Sequence, residues 1–245
     1  MSPDLELALR LADAADALSL PLFGSGLAVE RKADLTPVTE ADRAVEAMLR
    51  ARLAEERPDD GVLGEEEGSR TGASGRRWLL DPIDGTRNYT RGIPVWATLV
   101  ALEEAGEVRL GVVSAPALRR RWWAERGSGA VRDDIPIRVS QIGRIEDAVL
   151  SVALEDGVPE LARRAWHVRA FGDFWAHMLV AEGAVDAAWD AHGVREWDLA
   201  AVQVIVEEAG GRFSDLSGGR RLDAGEALTS NGLLHAALLH GSPSP

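Results

Sequence analysis

One stretch of the chain reads Trp78-Leu79-Leu80-Asp81-Pro82-Ile83-Asp84-Gly85-Thr86. Its apolar residues follow Arg76-Arg77, and this pattern predicts a buried strand that is ended by Pro82. The strand therefore delivers two aspartates, and buried carboxylates are costly unless a cation or hydrogen-bond donors balance them. Gly85 permits a close backbone approach, and Thr86 is a residue type that caps helices. We therefore expect this stretch to hold a divalent metal beside a phosphate group.

Composition narrows the classes of protein that this chain could be. Its 245 residues suffice for one large domain or two packed halves. No run approaches the roughly 20 apolar residues of a membrane span, and the N-terminus lacks the features of a secretory signal. The absence of cysteine excludes disulfides, thiolate metal sites and cysteine nucleophiles. We expect a cytoplasmic protein that does not enter a membrane.

The charge of the chain bears on its partners. A net charge of −13 argues against nucleic-acid binding, which needs a basic surface. It fits a cluster of metal-binding acids, and it equally fits the acidity that keeps many proteins soluble. Among the 27 basic residues only Lys32 is lysine. A lone lysine is either a chance survivor of an arginine-rich composition or a position that needs a compact ammonium group.

Four places deliver acids at the ends of predicted elements. Asp42 lies in the first turn of a helix that opens with a capping-box pattern, and Glu65 follows a short strand. The pair at 81 and 84 ends the buried strand, and Asp198 opens a long helix. A cap explains Asp42 and Asp198 individually, and a solvated loop explains Glu65. The pair is the hardest to explain without a ligand, because it follows a buried strand.

The remaining pattern predicts a two-part α/β (α+β) chain. Strands after the central stretch, at 96–102, 107–114 and 120–125, predict a largely antiparallel sheet in an N-terminal half, 1–137. A C-terminal half, 138–245, alternates strands and helices, which indicates a sheet covered by helices. In it we expect a short helix at 159–166 and a helix capped by Asp173. The five histidines have no ligand-like spacing, so we interpret them as structural or surface residues.

Several motifs in order resemble the inositol monophosphatase family. They are Val38-Thr39-Glu40-Ala41-Asp42, Gly64-Glu65-Glu66, the stretch 78–86, Trp197-Asp198-Leu199-Ala200-Ala201 and Glu208-Ala209-Gly210-Gly211. These motifs span nearly the whole chain. The resemblance implies a layered α-β-α-β-α sandwich of the inositol monophosphatase and fructose bisphosphatase type, and a Mg²⁺-dependent phosphomonoesterase.

The resemblance also implies roles for individual residues. Glu65, Asp81, Asp84 and Asp198 would bind two or three Mg²⁺ ions through carboxylates, and Ile83 through its carbonyl, with Glu66 supporting them. Gly85 and Thr86 would offer backbone N–H groups to the phosphate, and Asp42 with Thr86 would orient and deprotonate the attacking water, with Glu65 beside them. Lys32 falls where similar proteins have a lysine near the active site. Oxygen ligands without sulfur or histidine suit Mg²⁺ rather than Zn²⁺.

The remaining segments resemble the histidinol-phosphatase branch of that family. They are 92–99, 111–118, 120–124, Gly172-Asp173-Phe174-Trp175 and 178–183. Carboxylates at Asp173 and Asp190 would favour a cationic substrate such as histidinol phosphate over a neutral polyol phosphate. An ordinary N-cap is the alternative explanation of Asp173. The segment 151–165 is short and unlike either branch, so it leaves the contacts of the substrate open.

Three functions follow as alternatives. The first is hydrolysis of histidinol phosphate in histidine biosynthesis. The second is an inositol-1-monophosphatase or a broad sugar-phosphate phosphatase. The third is a regulatory protein-binding member of the family, without a required enzymatic role. A small-molecule phosphate monoester is the expected partner in the first two cases, and the resemblance implies a homodimer.

Overall fold

The computed structural model describes residues 1–25, 29–31, 37–152 and 160–240. Within these ranges the helices are α1 (Pro3–Leu22), α2 (Glu40–Glu56), α3 (Thr86–Thr90), α4 (Asp173–Ala181), α5 (Glu196–Glu208) and α6 (His235–His240). The strands of the first half are β1 (Val29–Arg31), β2 (Pro37–Thr39), β3 (Gly61–Gly64), β4 (Gly68–Arg70), β5 (Arg76–Asp84), β6 (Ala97–Glu104), β7 (Glu107–Ala115), β8 (Arg120–Glu125), β9 (Ala130–Arg132) and β10 (Ile135–Ile137). The strands of the second half are β11 (Val149–Val152), β12 (His167–Arg169), β13 (Ala187–Asp190), β14 (Arg212–Ser214) and β15 (Ala227–Ser230).

The first two helices begin where the capping patterns predict. The Ser2 hydroxyl accepts a hydrogen bond from the Leu5 N–H at 3.1 Å, and Pro3 is the first helical residue of α1. At α2 the Thr39 hydroxyl and the Asp42 carboxylate form a reciprocal capping box. Local side-chain chemistry therefore sets both starts.

An eight-stranded sheet forms the larger β layer across the described ranges, in the order β10-β9-β8-β7-β6-β5-β3-β4. Its pairs are antiparallel, as predicted, except for β3 and β5, which run parallel. Parallel neighbours end at the same edge of a sheet. The loop after β3 and the end of β5 therefore meet, and both carry acids.

Strand β5 extends further than its sequence predicts. Pro82 does not end it, because the strand continues through a bulge to Asp84, with an extra residue between the pairs Asp81↔Leu99 and Asp84↔Ala97. Proline is tolerated at a bulge because the ladder there needs no N–H from it. Side chains alternate along a strand, so positions three apart would face opposite sides. The bulge shifts this alternation and lets both aspartates face one side.

The layers stack in the expected order. Helices α1 and α2 cover one face of the large sheet around Trp78 and Leu80. Helices α4 and α5 cover the other face, where Leu79 points, and they also contact the five-stranded sheet β12-β11-β13-β15-β14. Helix α6 and a 3₁₀ turn at Glu160–Arg164 pack on the outer face of that second sheet. The predicted α-β-α-β-α sandwich is confirmed.

Helix α5 lies directly on strand β7. A Cβ atom at Gly111 would come within 2.6 Å of the Ala201 Cα atom, so the helix and strand backbones are in contact. No side chain separates them, and only glycine fits between. The position of α5, and of Asp198 at its start, therefore depends on the backbone of the large sheet.

The second half differs from its prediction in detail. Where a helix is expected at 159–166, the described residues form a 3₁₀ helix at Glu160–Arg164. None of the helices in the described residues is long and apolar enough to cross a membrane. The division into halves at 137 and 138 stays a prediction.

Candidate active site

Among the described residues, an open cavity of about 530 Å³ lies where the ends of β5 and β13 meet the starts of α3, α4 and α5. Its lining brings together acids, backbone turns and aromatic groups from both halves of the chain. The lining includes Glu65, Asp81, Ile83, Asp84, Gly85, Thr86, Arg87, Asn88, Phe171, Gly172, Asp173, Phe174, His177, Asp190, His192, Asp198 and Leu199. The cavity therefore contains nearly all the residues that the sequence singles out.

The parallel pair β3 and β5 supplies three of the acids. Glu65 directly follows β3, and its N–H donates to the carbonyl of Leu80 at 3.2 Å, which continues the ladder to the end of β5. Asp81 is buried and Asp84 is half-buried at the cavity wall. Their positions thus follow from backbone pairing.

The loop that carries Glu65 rests on a buried carboxylate that the sequence analysis missed. Glu46 of α2 is fully buried, and it accepts hydrogen bonds from the N–H groups of Glu66 at 2.7 Å and Glu67 at 3.0 Å. Arg50 donates to the same carboxylate at 2.7 Å. A Cβ at Gly64 would lie 2.2 Å from Glu46 Oε1, so any larger residue there would displace this carboxylate. The sequence does contain a sign of this role, because Glu46 is an acid within the apolar stripe of α2.

Asp198 reaches the cavity from helix α5. The helix begins at Glu196, one residue earlier than predicted, and Arg195 is its N-cap. The Arg195 N–H donates to the Asp198 carboxylate at 2.6 Å. Asp198 also shares a hydrogen bond with Asp81. It therefore acts as a helix cap and as a member of the acid cluster, so the two readings of Asp198 from sequence do not exclude each other.

The acids raise one another's pKa values. Burial first, and then repulsion from Glu65, Asp84 and Asp198, raises the pKa of Asp81 well above its usual value. Burial and the nearby charges of Asp173 and Asp198 likewise raise the pKa of Asp84. Burial is also the main reason that the pKa of Asp198 rises to about 7. Among the described residues, the surroundings of these three aspartates on balance favour the protonated carboxyl groups.

The donor set of the cluster suits a hard divalent cation. Four carboxylates and the carbonyl of Ile83 face one region, with no thiolate and no histidine among them. Within the described ranges, no three acidic or histidine side chains are arranged so that they could hold a metal ion as they stand. The oxygen donor set and the raised pKa values therefore fit the predicted metal ligands. Metal binding would require the carboxylates to move closer together.

Thr86 lines the cavity, and its hydroxyl contacts the buried carboxylate of Asp42. The Thr86 hydroxyl lies 3.3 Å from Asp42 Oδ1 and 3.0 Å from the carbonyl oxygen of Ile83. Burial raises the pKa of Asp42, although hydrogen bonds from Thr39 oppose the shift. Thr86 does not cap helix α3, contrary to expectation; Gly85 is the N-cap, in the left-handed region at φ 81°. The hydroxyl of Thr86 is therefore available to the cavity.

Asp173 is not an ordinary N-cap. Gly172 occupies the cap position of α4 without a side-chain capping hydrogen bond, and Asp173 is the first helical residue, with φ 55°. Such a backbone conformation is uncommon for residues other than glycine and is concentrated at functional sites. The exposed carboxylate of Asp173 accepts from the Asn88 side chain at 3.2 Å. The capping explanation is wrong, and the carboxylate faces the cavity beside Asp84.

Two histidines also line the cavity, so their interpretation as structural or surface residues was incomplete. His177 is buried and contacts Asp190, and His192 lies further along the wall. Arg87 is the one lysine or arginine among the described lining residues. Lys32 and the residues 153–159 lie outside the described residues, so the prediction for Lys32 stays a prediction.

Comparisons with known proteins identify the family of the chain. A sequence model of the inositol monophosphatase family matches residues 1–242. The histidinol-phosphatase of Mycobacterium tuberculosis is 51% identical over 96% of this chain and 96% of its own, and that of Streptomyces coelicolor is 47% identical over 96% and 95%. A solved inositol monophosphatase from Thermotoga maritima superposes with a TM-score of 0.90 at 33% identity, covering 98% of this chain and 96% of the other. The chain therefore belongs to the inositol monophosphatase family.

Proposed function

We propose that this chain is a Mg²⁺-dependent phosphatase that hydrolyses histidinol phosphate to histidinol and phosphate. Its family and its most similar relatives identify a phosphoric monoester hydrolase. One observation carries the choice of substrate. The cavity contains two carboxylates, Asp173 and Asp190, beyond the four that the predicted metal site uses.

The proposed metal ligands are the carboxylates of Glu65, Asp81, Asp84 and Asp198 and the carbonyl of Ile83. The raised pKa values of the aspartates support this assignment, because a bound cation would offset both the cost of burying these carboxylates and their mutual repulsion. Two or three Mg²⁺ ions, when bound, would neutralise phosphate charge, lower the pKa of a bound water and stabilise the leaving alkoxide. We expect the carboxylates to ionise fully as they bind.

Asp42 and Thr86 are the proposed pair that orients the attacking water. A hydroxyl 3.3 Å from a carboxylate oxygen can pass a proton to it, and the buried Asp42 has a raised pKa that suits a proton acceptor. The first N–H groups of a helix have no partner within that helix. The N–H groups of Gly85 and Thr86 would therefore donate to phosphate oxygens at the start of α3.

Charge supports a cationic substrate. Six carboxylates line the described part of the cavity, against Arg87 as its one lysine or arginine. Four of them would be balanced by metal, so Asp173 and Asp190 leave a surplus of negative charge. Histidinol phosphate carries an ammonium group and an imidazole that can be protonated, and both would be attracted to that surplus. A neutral polyol phosphate would gain nothing from it.

The proposal extends to the cellular setting. Hydrolysis of histidinol phosphate is a step of histidine biosynthesis, and we expect it in the cytoplasm. We also expect a homodimer. The number of metal ions, the location and the dimer are parts of the proposal that depend on the resemblance to the family.

The test is a phosphate-release panel with the purified chain. Histidinol phosphate, inositol 1-phosphate, glucose 6-phosphate and glycerol 2-phosphate are supplied at equal concentration, with Mg²⁺ or with a chelator. We expect kcat/KM to be highest for histidinol phosphate and phosphate release to cease with the chelator.

Each of the other possible results would contradict one part of the proposal. Equal or faster turnover of inositol 1-phosphate would make the chain an inositol or broad phosphatase. Undiminished turnover in the chelator would overturn the metal site. No turnover of any substrate with Mg²⁺ would leave the regulatory alternative, whose own test is recovery of a protein partner.

A further inference from the structure

His177 holds one carboxylate of the cavity in a fixed orientation. Its Nε2 atom lies 2.6 Å from Asp190 Oδ2, and its Nδ1 atom lies 2.8 Å from the hydroxyl oxygen of Thr229. Both ring nitrogens therefore have partners at hydrogen-bond distance. His177 is 2% exposed, and Thr229 is fully buried. Surrounding packing and both hydrogen bonds prevent the ring from turning.

The chemistry of the partners fixes the proton on the side that faces Asp190. An ionised carboxylate accepts hydrogen bonds and cannot donate them, so Nε2 of His177 must carry a hydrogen. In the neutral ring Nδ1 then accepts from the Thr229 hydroxyl, which is both donor and acceptor. The hydrogen bonds run in one direction, from Thr229 through His177 to Asp190.

These contacts join three elements of the second half. His177 belongs to α4, Asp190 ends β13 and Thr229 belongs to β15. Strands β13 and β15 are antiparallel neighbours, with Ala188 opposite Thr229. The ring therefore ties the end of β13 to the middle of β15, and Asp190 cannot swing away without losing this bond.

Asp190 is thereby left with one oxygen for the cavity. The ring of His177 engages Oδ2, and the side chain of Asp190 is 14% exposed. Asp190 lies near enough to Asp198 to affect its ionisation, which puts it beside the acid cluster. If the acid cluster binds the phosphate as proposed, the remaining oxygen of Asp190 can accept a hydrogen bond from a donor on the same substrate.

His235 shows what a purely structural histidine looks like in this fold. It is fully buried, and its nitrogens lie 2.9 Å from the Ser214 hydroxyl and 2.8 Å from the Ser230 hydroxyl. It does not line the cavity, and neither do its partners. His177 differs because its partner is charged and faces the cavity.

From this geometry we infer that His177 is a positioning residue that aims Asp190 at the cationic part of the substrate, and so sets substrate selection. The inference rests on the proposed function. His177 itself contacts Asp190 rather than the reacting phosphate. Its loss should weaken binding of a cationic substrate through KM, and affect turnover of the bound substrate much less.

The test is a mutant cycle with two substrates. Wild type, His177→Ala, His177→Gln, Asp190→Asn and the double variant His177→Ala/Asp190→Asn are assayed with histidinol phosphate and glycerol 2-phosphate. The readout is the ratio of the two kcat/KM values. We expect His177→Ala to lower this ratio about 10-fold, the scale of one hydrogen bond to a charged group, mainly through KM.

The other variants separate positioning from folding. His177→Gln should recover part of the ratio, because its amide N–H can approach the position of Nε2–H. The double variant should lower the ratio no further than Asp190→Asn alone, because the two residues act as one unit. His235→Asn is the matched control: it should lower the melting temperature and leave the ratio unchanged.

The outcomes distinguish the inference from the function on which it rests. A wild-type ratio at or below unity overturns the proposed function, and the inference with it. A wild-type preference that survives His177→Ala, or additive losses in the double variant, overturns the inference alone. If His177→Ala fails to fold, His177→Gln and the imidazole ¹⁵N signals of His177 in Asp190→Asn decide the matter. Unchanged signals there would mean that the two side chains are not paired in solution.

Discussion

The two ends of the cavity are built differently. The acid end, formed by Glu65, Asp81, Asp84 and Asp198, takes each carboxylate from the terminus of a strand or helix in the central layers. The recognition end, formed by Asp173, His177 and Asp190, depends on side chains that hold one another. Backbone pairing therefore positions the proposed metal ligands, whereas a few side-chain hydrogen bonds position the groups that we propose select the substrate.

Replacing one acid of the acid end gives the sharpest test of this contrast. Asp84→Asn keeps the size of the side chain and an oxygen that can accept from the Phe174 N–H, now at 2.6 Å. It removes a charge that the proposed metal site needs. We expect kcat to fall at least about 100-fold for every phosphate monoester, the scale of losing one transition-state-stabilising group.

Phosphate release and circular dichroism measure this prediction together. Asp223→Asn is the matched control, because Asp223 forms an exposed ion pair with Arg221 away from the cavity. A fall in kcat confined to histidinol phosphate would contradict the contrast between the two ends, since Asp84 would then belong to the recognition end. If Asp84→Asn kept more than about a tenth of the wild-type kcat, that result would contradict the role of Asp84 in the reaction.

A substitution of Glu46 tests whether the acid end depends on the buried carboxylate that holds the loop of Glu65. Glu46→Gln places an amide where two N–H groups now donate to a carboxylate, so one of those donors loses its acceptor. The loop that carries Glu65 should loosen. We expect the Kd for Mg²⁺ to rise about 10-fold, as for loss of other groups that orient metal ligands.

Calorimetric titration of Mg²⁺ into the metal-free protein measures this Kd without an assay of activity. Glu67→Gln is the control, because Glu67 belongs to the same loop but has an exposed side chain that lies 3.6 Å from Arg50. Equal effects of the two changes would show that the buried carboxylate has no special role.

The dependence of stability on pH gives the smallest expected effect. The pKa of Asp198 is raised to about 7 in the folded chain, and those of Asp81 and Asp84 are raised as well. A raised pKa means that the protonated form is favoured by folding, so its stabilisation is complete below the usual value of 3.8 and is lost as pH rises through about 7. Metal-free protein should therefore melt lower at pH 8 than at pH 5.5.

Mg²⁺ should oppose that loss, since it binds the ionised carboxylates. We expect a fall of several degrees between these pH values without metal, because 1 kcal/mol corresponds to about 2–4 °C in a chain of this size. With Mg²⁺ the fall should shrink, and the gain from Mg²⁺ should be larger at pH 8. Thermal melting in chelator and in Mg²⁺ measures both. A melting temperature that rises with pH in chelator would contradict the raised pKa values of the aspartates at the acid end.

The same contrast explains what the sequence could predict. Asp81 and Asp84 were identifiable because a strand, two acids and a glycine follow one another within nine residues. The bulge in β5 could not be identified from the sequence, because it depends on the pairing register of β5 with β6. His177 was missed because its partners lie 13 and 52 positions away. The conformation of Asp173 depends on how α4 meets α3, and a local pattern predicts only a cap there.

The layered order of the fold, by contrast, was accessible. The apolar run of β5 and the apolar stripes of α1 and α2 predict which residues must be buried. The order of the layers came from the resemblance to the inositol monophosphatase family. Exact ends of elements depend on individual bonds, such as the N–H of Arg195 on Asp198, which begins α5 one residue early.

The contact of Gly111 with Ala201 has a consequence for how such a protein can diverge. Because two backbones touch there, no side chain at Gly111 separates α5, which begins near Asp198, from strand β7 of the large sheet. Mutations elsewhere on α4 and β13 can therefore exchange one recognition group for another while the reacting centre keeps its dimensions. New substrates become accessible by single steps, each of which preserves a working catalyst. A family with one reaction and many substrates is the expected product of such a scaffold.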